Sequence, residues 1–215
     1  MSGEDRELPA RPSGPVQQLA GLLVEYVGEI PSSSRLPSQT PAVDAAAIGR
    51  KASLTAASTA GMLSLPPGPL GWATILPEII AVWKIQGQMV ADIAAVYGQT
   101  AGLSREQMLY CLFRHSAAQA VRDLVVRVGE RYLVRQTTLA GLQHIARKVG
   151  VKISQKALAK GISRWIPLVS TAGVSSYAWY DTSRVARTAI ELFESEILVE
   201  PPRLLENEKD GHMDA

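Results

Sequence analysis

The side chains that could serve as nucleophile, base or metal ligand are few. His115, His144 and His212 each stand without a second His, Cys or carboxylate at ligand spacing. A zinc site needs three or four such donors converging on one tetrahedral centre, so these histidines read as partly exposed helix residues rather than ligands. The single cysteine, Cys111, lies in the apolar run LYCLF. Burial there would raise its pKa and suppress the thiolate, which favours core packing over catalysis. No GxxxxGK phosphate loop, GxGxxG, GxSxG elbow or SxxK pair is present, and GVSSYAW (173–179) lacks the second glycine of the elbow. No catalytic residue, metal or cofactor is assigned, and the sequence points away from an enzyme.

Two constellations remain. In PEIIAVWKIQGQMVADIAAVYG, Glu78, Lys84, Gln88 and Asp92 fall within an arc of about 120° at 100° per residue. They could form an interior polar site, although an interhelical ion pair or a solvent stripe explains the same spacing and is preferred. Opposite them, Gly87, Ala91 and Ala95 form a lane of small residues suited to close helix approach. The second constellation is KISQKALAKGISRWIPLVSTAGVSSYAWYDTSR (152–184). Lys152, Lys156, Lys160 and Arg164 recur every four residues and so make one slowly spiralling helical ridge. Sixteen uncharged residues follow, Trp165 to Tyr180, with Trp165, Tyr177 and Trp179 among them.

Like charges four apart repel along a helix, so the ridge wants an anionic partner. An anionic lipid surface suits it: each cation near such a surface contributes on the order of 1 kcal/mol, and Trp and Tyr favour the headgroup level. A solvated cationic face is the plainer reading of the ridge. Nucleic acid is not expected, because no recognition motif accompanies the cations and the neighbouring run is too apolar for a groove.

The elements carrying these residues read as helices. The chain of 215 residues is 47% hydrophobic and 20% charged, enough for one ordinary domain. Its net charge of +2 conceals a segregation. From Arg131 to Tyr180 there are eight cations and no acid; from 181 to 215 there are nine acids and four bases. One cysteine excludes an internal disulfide, and the polar, acidic start MSGEDRELPARPSG is not a signal peptide, so a cytoplasmic location is expected, peripheral at the inner membrane.

Residues 1–12 and 199–215 read as disordered tails, the second acidic, around a single helical domain over 13–198. IPSSSRLPSQT (30–40) is a Ser/Pro linker. Helices are expected at PVQQLAGLLVEYVGEI, from Pro41 to about Leu65, from about Trp72 to Tyr97, from Ser104 towards Arg127, through RYLVRQTTLAGLQHIARK to Gly150, over Lys152 to Arg164, and from Pro167 to about Leu198. No hairpin or alternating strand run is recognised. The expectation is an all-α bundle of about seven helices, with a central apolar helical hairpin. The uncharged stretch Ala52–Pro77 is split by Pro66, Pro67 and Pro69, so it reads as buried core first and as a membrane-docking hairpin second.

Two blocks resemble the bacterial EcsC family. The first is KASLTAASTAGMLSLPPGPLGWATILPEIIAVWKIQGQMVADIAAVYGQT: small residues, a Gly/Pro turn, then an apolar helix with an early acid, ending in IAxxYG. The second, SRWIPLVSTAGVSSYAWYDTSRVARTAIELFESE, adds IPxVxxxG, aromatics and VARxA. Helical domains appended to some bacterial GTPases are similar. The resemblance spans about residues 44–197 and implies a helical bacterial accessory protein, membrane-associated, with no activity attached, encoded beside a transport system. The early acid of that pattern is commonly Asp, whereas this sequence has Glu78. The alternatives are a soluble helical scaffold whose hairpin packs on a protein partner, and a hydrolase using Glu78 or Asp92.

Overall fold

The computed structural model describes residues 30–63, 72–160 and 167–200, with side chains at 30–63, 79–152 and 172–200. The fold is mostly helical. Its helices are α1 (Pro41–Leu63), α2 (Trp72–Val96), α3 (Arg105–Phe113), α4 (Ala118–Val121), α5 (Leu139–Lys160) and α6 (Pro167–Glu194). Three short strands accompany them: β1 (Val125–Val128), β2 (Arg131–Arg135) and β3 (Ile197–Glu200). Residues 15–29 of the first expected helix, PVQQLAGLLVEYVGEI, lie outside the described residues, as do residues 1–12 and 201–215 of the tails.

Local chemistry explains the helix ends. Pro41 opens α1 with its fixed φ and no orphan N–H, and Thr40 O accepts from the Val43 and Asp44 amides. α2 stops where Gly98 takes φ +74. Gln99 N then donates to Ala94 O and Gly98 N to Ala95 O, which closes a Schellman motif. The expected capping box starts α3: Ser104 Oγ accepts from Gln107 N at 3.3 Å, and Gln107 Oε1 accepts from Ser104 N at 2.8 Å.

The central unit is a three-helix layer. α1 packs most extensively on α6 and next on α2, and α2 also meets α6. Directions follow from the cross-links. Ser38 N donates to Val96 O, so α1 begins where α2 ends. Gln86 of α2 reaches Asp181 and Thr182 of α6, and Gln99 reaches Phe193 O, so α2 and α6 are parallel. Close contact needs small residues. Ala45, Gly49, Ser53, Ala56 and Ala60 form the inner stripe of α1, and a Cβ at Gly49 would lie 2.8 Å from that of Ala186. Gly87, Ala91 and Ala95 of α2 are buried as well. The core continues into α3, which is buried from Glu106 to Phe113, with Trp83 edge-on to Phe113 at 5.6 Å.

The sheet corrects the all-α expectation. VVRV-GE-RYLVR is a hairpin whose turn uses Gly129 at φ +64. The helix expected towards Arg127 therefore stops at Phe113, and the one expected from Arg131 begins only at Leu139. It then passes Gly150 without a break and ends at Lys160. β3 pairs in parallel with β2, Leu133 opposite Leu198 and Arg135 opposite Glu200. Val199 and Glu200 are thus strand residues rather than the start of a tail, and α6 ends at Glu194, short of Leu198.

Candidate functional site

The directions of the helices sort the chain's charge. Leu63, Trp72 and Pro167 mark one end of the α1–α2–α6 layer; Val96, Phe193 and the sheet mark the other. α1 carries no charged residue from Ala52 to Leu63, and α6 carries none from Pro167 to Tyr180. The antiparallel packing brings these uncharged halves to the same end. α5 starts at the sheet end, where Glu106 Oε1 accepts from Thr137 N at 3.0 Å just ahead of the helix. Its last residue, Lys160, precedes the start of α6 at Pro167 by seven positions.

The predicted ridge residues fall as follows. Lys152 is partly exposed, and its Nζ donates to Gln119 Oε1 at 3.2 Å, tying α5 to α4. Lys156 and Lys160 occupy α5 at the same spacing, with side chains outside the described set. Arg164 and Trp165 lie outside the described residues. One turn earlier, His144, Arg147 and Lys148 are exposed on α5, and neither Arg147 nor Lys148 has an ion-pair partner among the described residues. Of the aromatics, Tyr177 and Trp179 are 45% and 46% exposed, and Tyr180 is exposed beside them.

Of the four residues read as a possible interior site, the three whose side chains are described lie on the outward stripe that was the preferred alternative. Lys84 and Gln88 are exposed and Asp92 is partly so. Glu78 sits early in α2, its side chain outside the described set. The stripe faces outward because the opposite stripe of Gly87, Ala91 and Ala95 is what packs inward. Its lower part is covered by the Ser/Pro segment. Asp92 accepts from Ser33 Oγ at 2.7 Å, from Arg35 Nε at 3.2 Å and from Gln88 Nε2 at 3.0 Å. Gln88 also donates to Ser32 O. The linker is a strap fastened on Asp92.

The polar cluster that does lie between elements was not predicted. Asp181 of α6 takes His115 Nε2 on Oδ1 at 2.7 Å and Gln86 Nε2 on Oδ2 at 2.9 Å, and the Tyr177 hydroxyl bonds to it as well. Gln86 also donates to Thr182 Oγ1 at 3.1 Å. Burial first, and then the Asp181 charge and hydrogen bond, push the Tyr177 phenol up to about 12. The His115 side chain is only 10% exposed, and its Nδ1 is buried without a protein partner. Three donors converge on the carboxylate, which ties α2, α6 and the turn after α3 together. No sequence signal links His115 to Asp181, which are 66 positions apart.

Comparison of the chain with family models, curated proteins and solved structures returned no match. Chemistry elsewhere is muted. Cys111 is fully buried, and burial pushes its thiol far up. Among the described residues no three His, Cys, Asp or Glu side chains are placed to hold a metal ion. Ile79–Val96 of α2 has the length and composition to cross a membrane, yet it holds the buried Trp83, Gln86, Met89 to Ala91 and Ile93 to Val96 against α1, α3 and α6.

Proposed function

We propose that this chain is a non-enzymatic helical binding protein that docks peripherally on an anionic membrane surface, the inner face of a bacterial membrane, as an accessory to a transport system. One feature supports the reading: α5 begins at the sheet end, and its cationic half precedes Pro167, where α6 starts at the end of the layer at which α1 and α6 carry no charge. A surface of that kind offers lipid phosphates their counter-charge and headgroups their aromatic neighbours. Within this reading the α1–α2 pair is the central apolar hairpin, and Lys152, Lys156, Lys160 and Arg164 are the lipid-facing cations. Four of them contribute roughly 4 kcal/mol at about 1 kcal/mol each. The resemblance to EcsC proteins supports the bacterial setting.

The test is flotation. The triple reversal Lys152→Glu, Lys156→Glu and Lys160→Glu leaves helicity intact, because exposed cations contribute little to folding. It sharply reduces flotation with phosphatidylglycerol vesicles, and high salt does the same to the parent protein. Phosphatidylcholine vesicles are the control. Parent protein that ignores anionic vesicles at low salt, or a triple variant that floats equally well, replaces this reading with docking on a protein partner.

A further inference from the structure

The unpaired cations of the helical layer form a collar of their own. Gly49 meets Ala186, so Arg50 and Lys51 of α1 stand at the same height as Arg184 and Arg187 of α6. Lys84, two residues before the Gln86 that bonds Asp181, stands nearer the other end of the layer, about level with Trp179. All five are exposed, and none forms an ion pair among the described residues. The sheet end is the opposite: Arg114 pairs with Glu191, Arg131 with Glu196 and Arg135 with Glu200. Three cations are paired at the sheet end, whereas Arg50, Lys51, Arg184 and Arg187 are left open around the middle.

Beyond the collar the outer surface changes character. Leu54, Met62 and Leu63 are exposed on α1. Two of the hydroxyls among them turn back into the helix, Thr55 donating to Lys51 O at 3.0 Å and Ser58 to Thr55 O at 2.9 Å. A helix surface whose hydroxyls are satisfied internally can leave water at low cost. On α6, Trp179 and Tyr180 lie between the collar and the tip, the level at which amphipathic rings sit in a bilayer. The depth also fits. Ala52 to Leu63 rises roughly 18 Å at 1.5 Å per residue, against about 15 Å for the hydrocarbon of one leaflet.

We infer that the uncharged tip of α1 and α6 enters one leaflet of an anionic bilayer, with Arg50, Lys51, Arg184 and Arg187 holding headgroup phosphates around its base. Charge complementarity selects this occupant: a protein groove would not call for cations on two sides of one tip at one height. The inference rests on the membrane reading above but adds the inserting face and its depth. It distinguishes a surface held flat by α5 from a tip that penetrates without crossing.

Three exposed sites on α1 test it in the full chain: Val43→Cys near the sheet end, Leu54→Cys just past the collar and Met62→Cys near the tip. Each carries an environment-sensitive nitrobenzoxadiazole label, and buried Cys111 does not compete for it. With phosphatidylglycerol vesicles, emission from the labels at 54 and 62 shifts to the blue and rises several-fold, while the label at 43 keeps its aqueous spectrum. The pairs Arg50→Glu/Lys51→Glu and Arg184→Glu/Arg187→Glu each weaken vesicle binding about tenfold or more, with helicity unchanged. A protein that floats while the label at 62 stays aqueous, or while 43 is buried equally, overturns the insertion and leaves peripheral docking standing. Collar variants that bind like the parent overturn the headgroup role. Absence of flotation removes both readings.

Discussion

Asp181 is the residue on which the interior of this protein turns. It is the first charge after the uncharged run that opens α6, and it accepts from His115, Gln86 and Tyr177 together. Asp181→Asn removes the charge and places an amide where two or three donors converge, so one buried donor loses its acceptor at a cost of about 1–3 kcal/mol. Thermal unfolding should show that loss, and alkaline difference absorbance should show the Tyr177 phenol moving down from about 12 towards its ordinary range. The sign of the pH effect follows from the protons held. Tyr110 and Tyr177 both keep theirs to about 12 against an ordinary 10.0, so the folded state binds more protons than the unfolded in that interval. Stability is full below pH 10 and falls as the pH rises from about 10 towards 12. None of this was legible beforehand. Single residues announce their partners in sequence only when a local spacing binds them, as in the capping box of Ser104 and Gln107, and this cluster has members on three separate elements.

At the scale of elements, glycine shows how packing overrides propensity. Gly49 and Gly173 both lie inside helices, where replacing Gly with Ala ordinarily stabilises by about 1 kcal/mol. A methyl at Gly173 meets nothing within 4 Å, so Gly173→Ala should raise the urea midpoint. At Gly49 the new Cβ would sit 2.8 Å from the Cβ of Ala186, and helices α1 and α6 must part to admit it. Overpacking of that kind costs about 1–3 kcal/mol, which exceeds the propensity gain, so Gly49→Ala should lower the midpoint. The two variants carry the same substitution with opposite signs, and equilibrium urea unfolding of each against the parent decides the matter. Helices α1 and α2 were legible because apolar periodicity, Pro41 and Gly98 all agree on them. The β1–β2 hairpin was not, although Gly-Glu between VVRV and RYLVR is a two-residue turn signal. Each strand is too short to outweigh the helical patterns on either side, and the cations in both strands also fit a helix face.

The whole molecule has polarity: a sheet end where Arg114, Arg131 and Arg135 are paired, and an opposite end where α1 and α6 carry no charge. The linear charge map already held half of this, in the acid-free stretch from Arg131 to Tyr180. Only the parallel course of α2 and α6 and the antiparallel course of α1 convert that map into two ends, and no periodicity carries helix direction. The same limit hid the role of the C-terminal segment, where acidic composition suggested a tail from residue 199. In the fold, Ile197–Glu200 adds a parallel strand beside β2, and Glu196 and Glu200 neutralise Arg131 and Arg135. The boundary between dispensable and structural chain should therefore fall just after Glu200. A chain ending at Pro202 should melt within a few degrees of the full protein. One ending at Glu194 leaves the β2 edge unpaired, exposes the core beside Ile197 and strands two arginines, so its melting temperature should fall by several degrees more. Differential scanning of the two truncations decides it, and equal melting temperatures would mean that β3 contributes nothing to the stability of the sheet end.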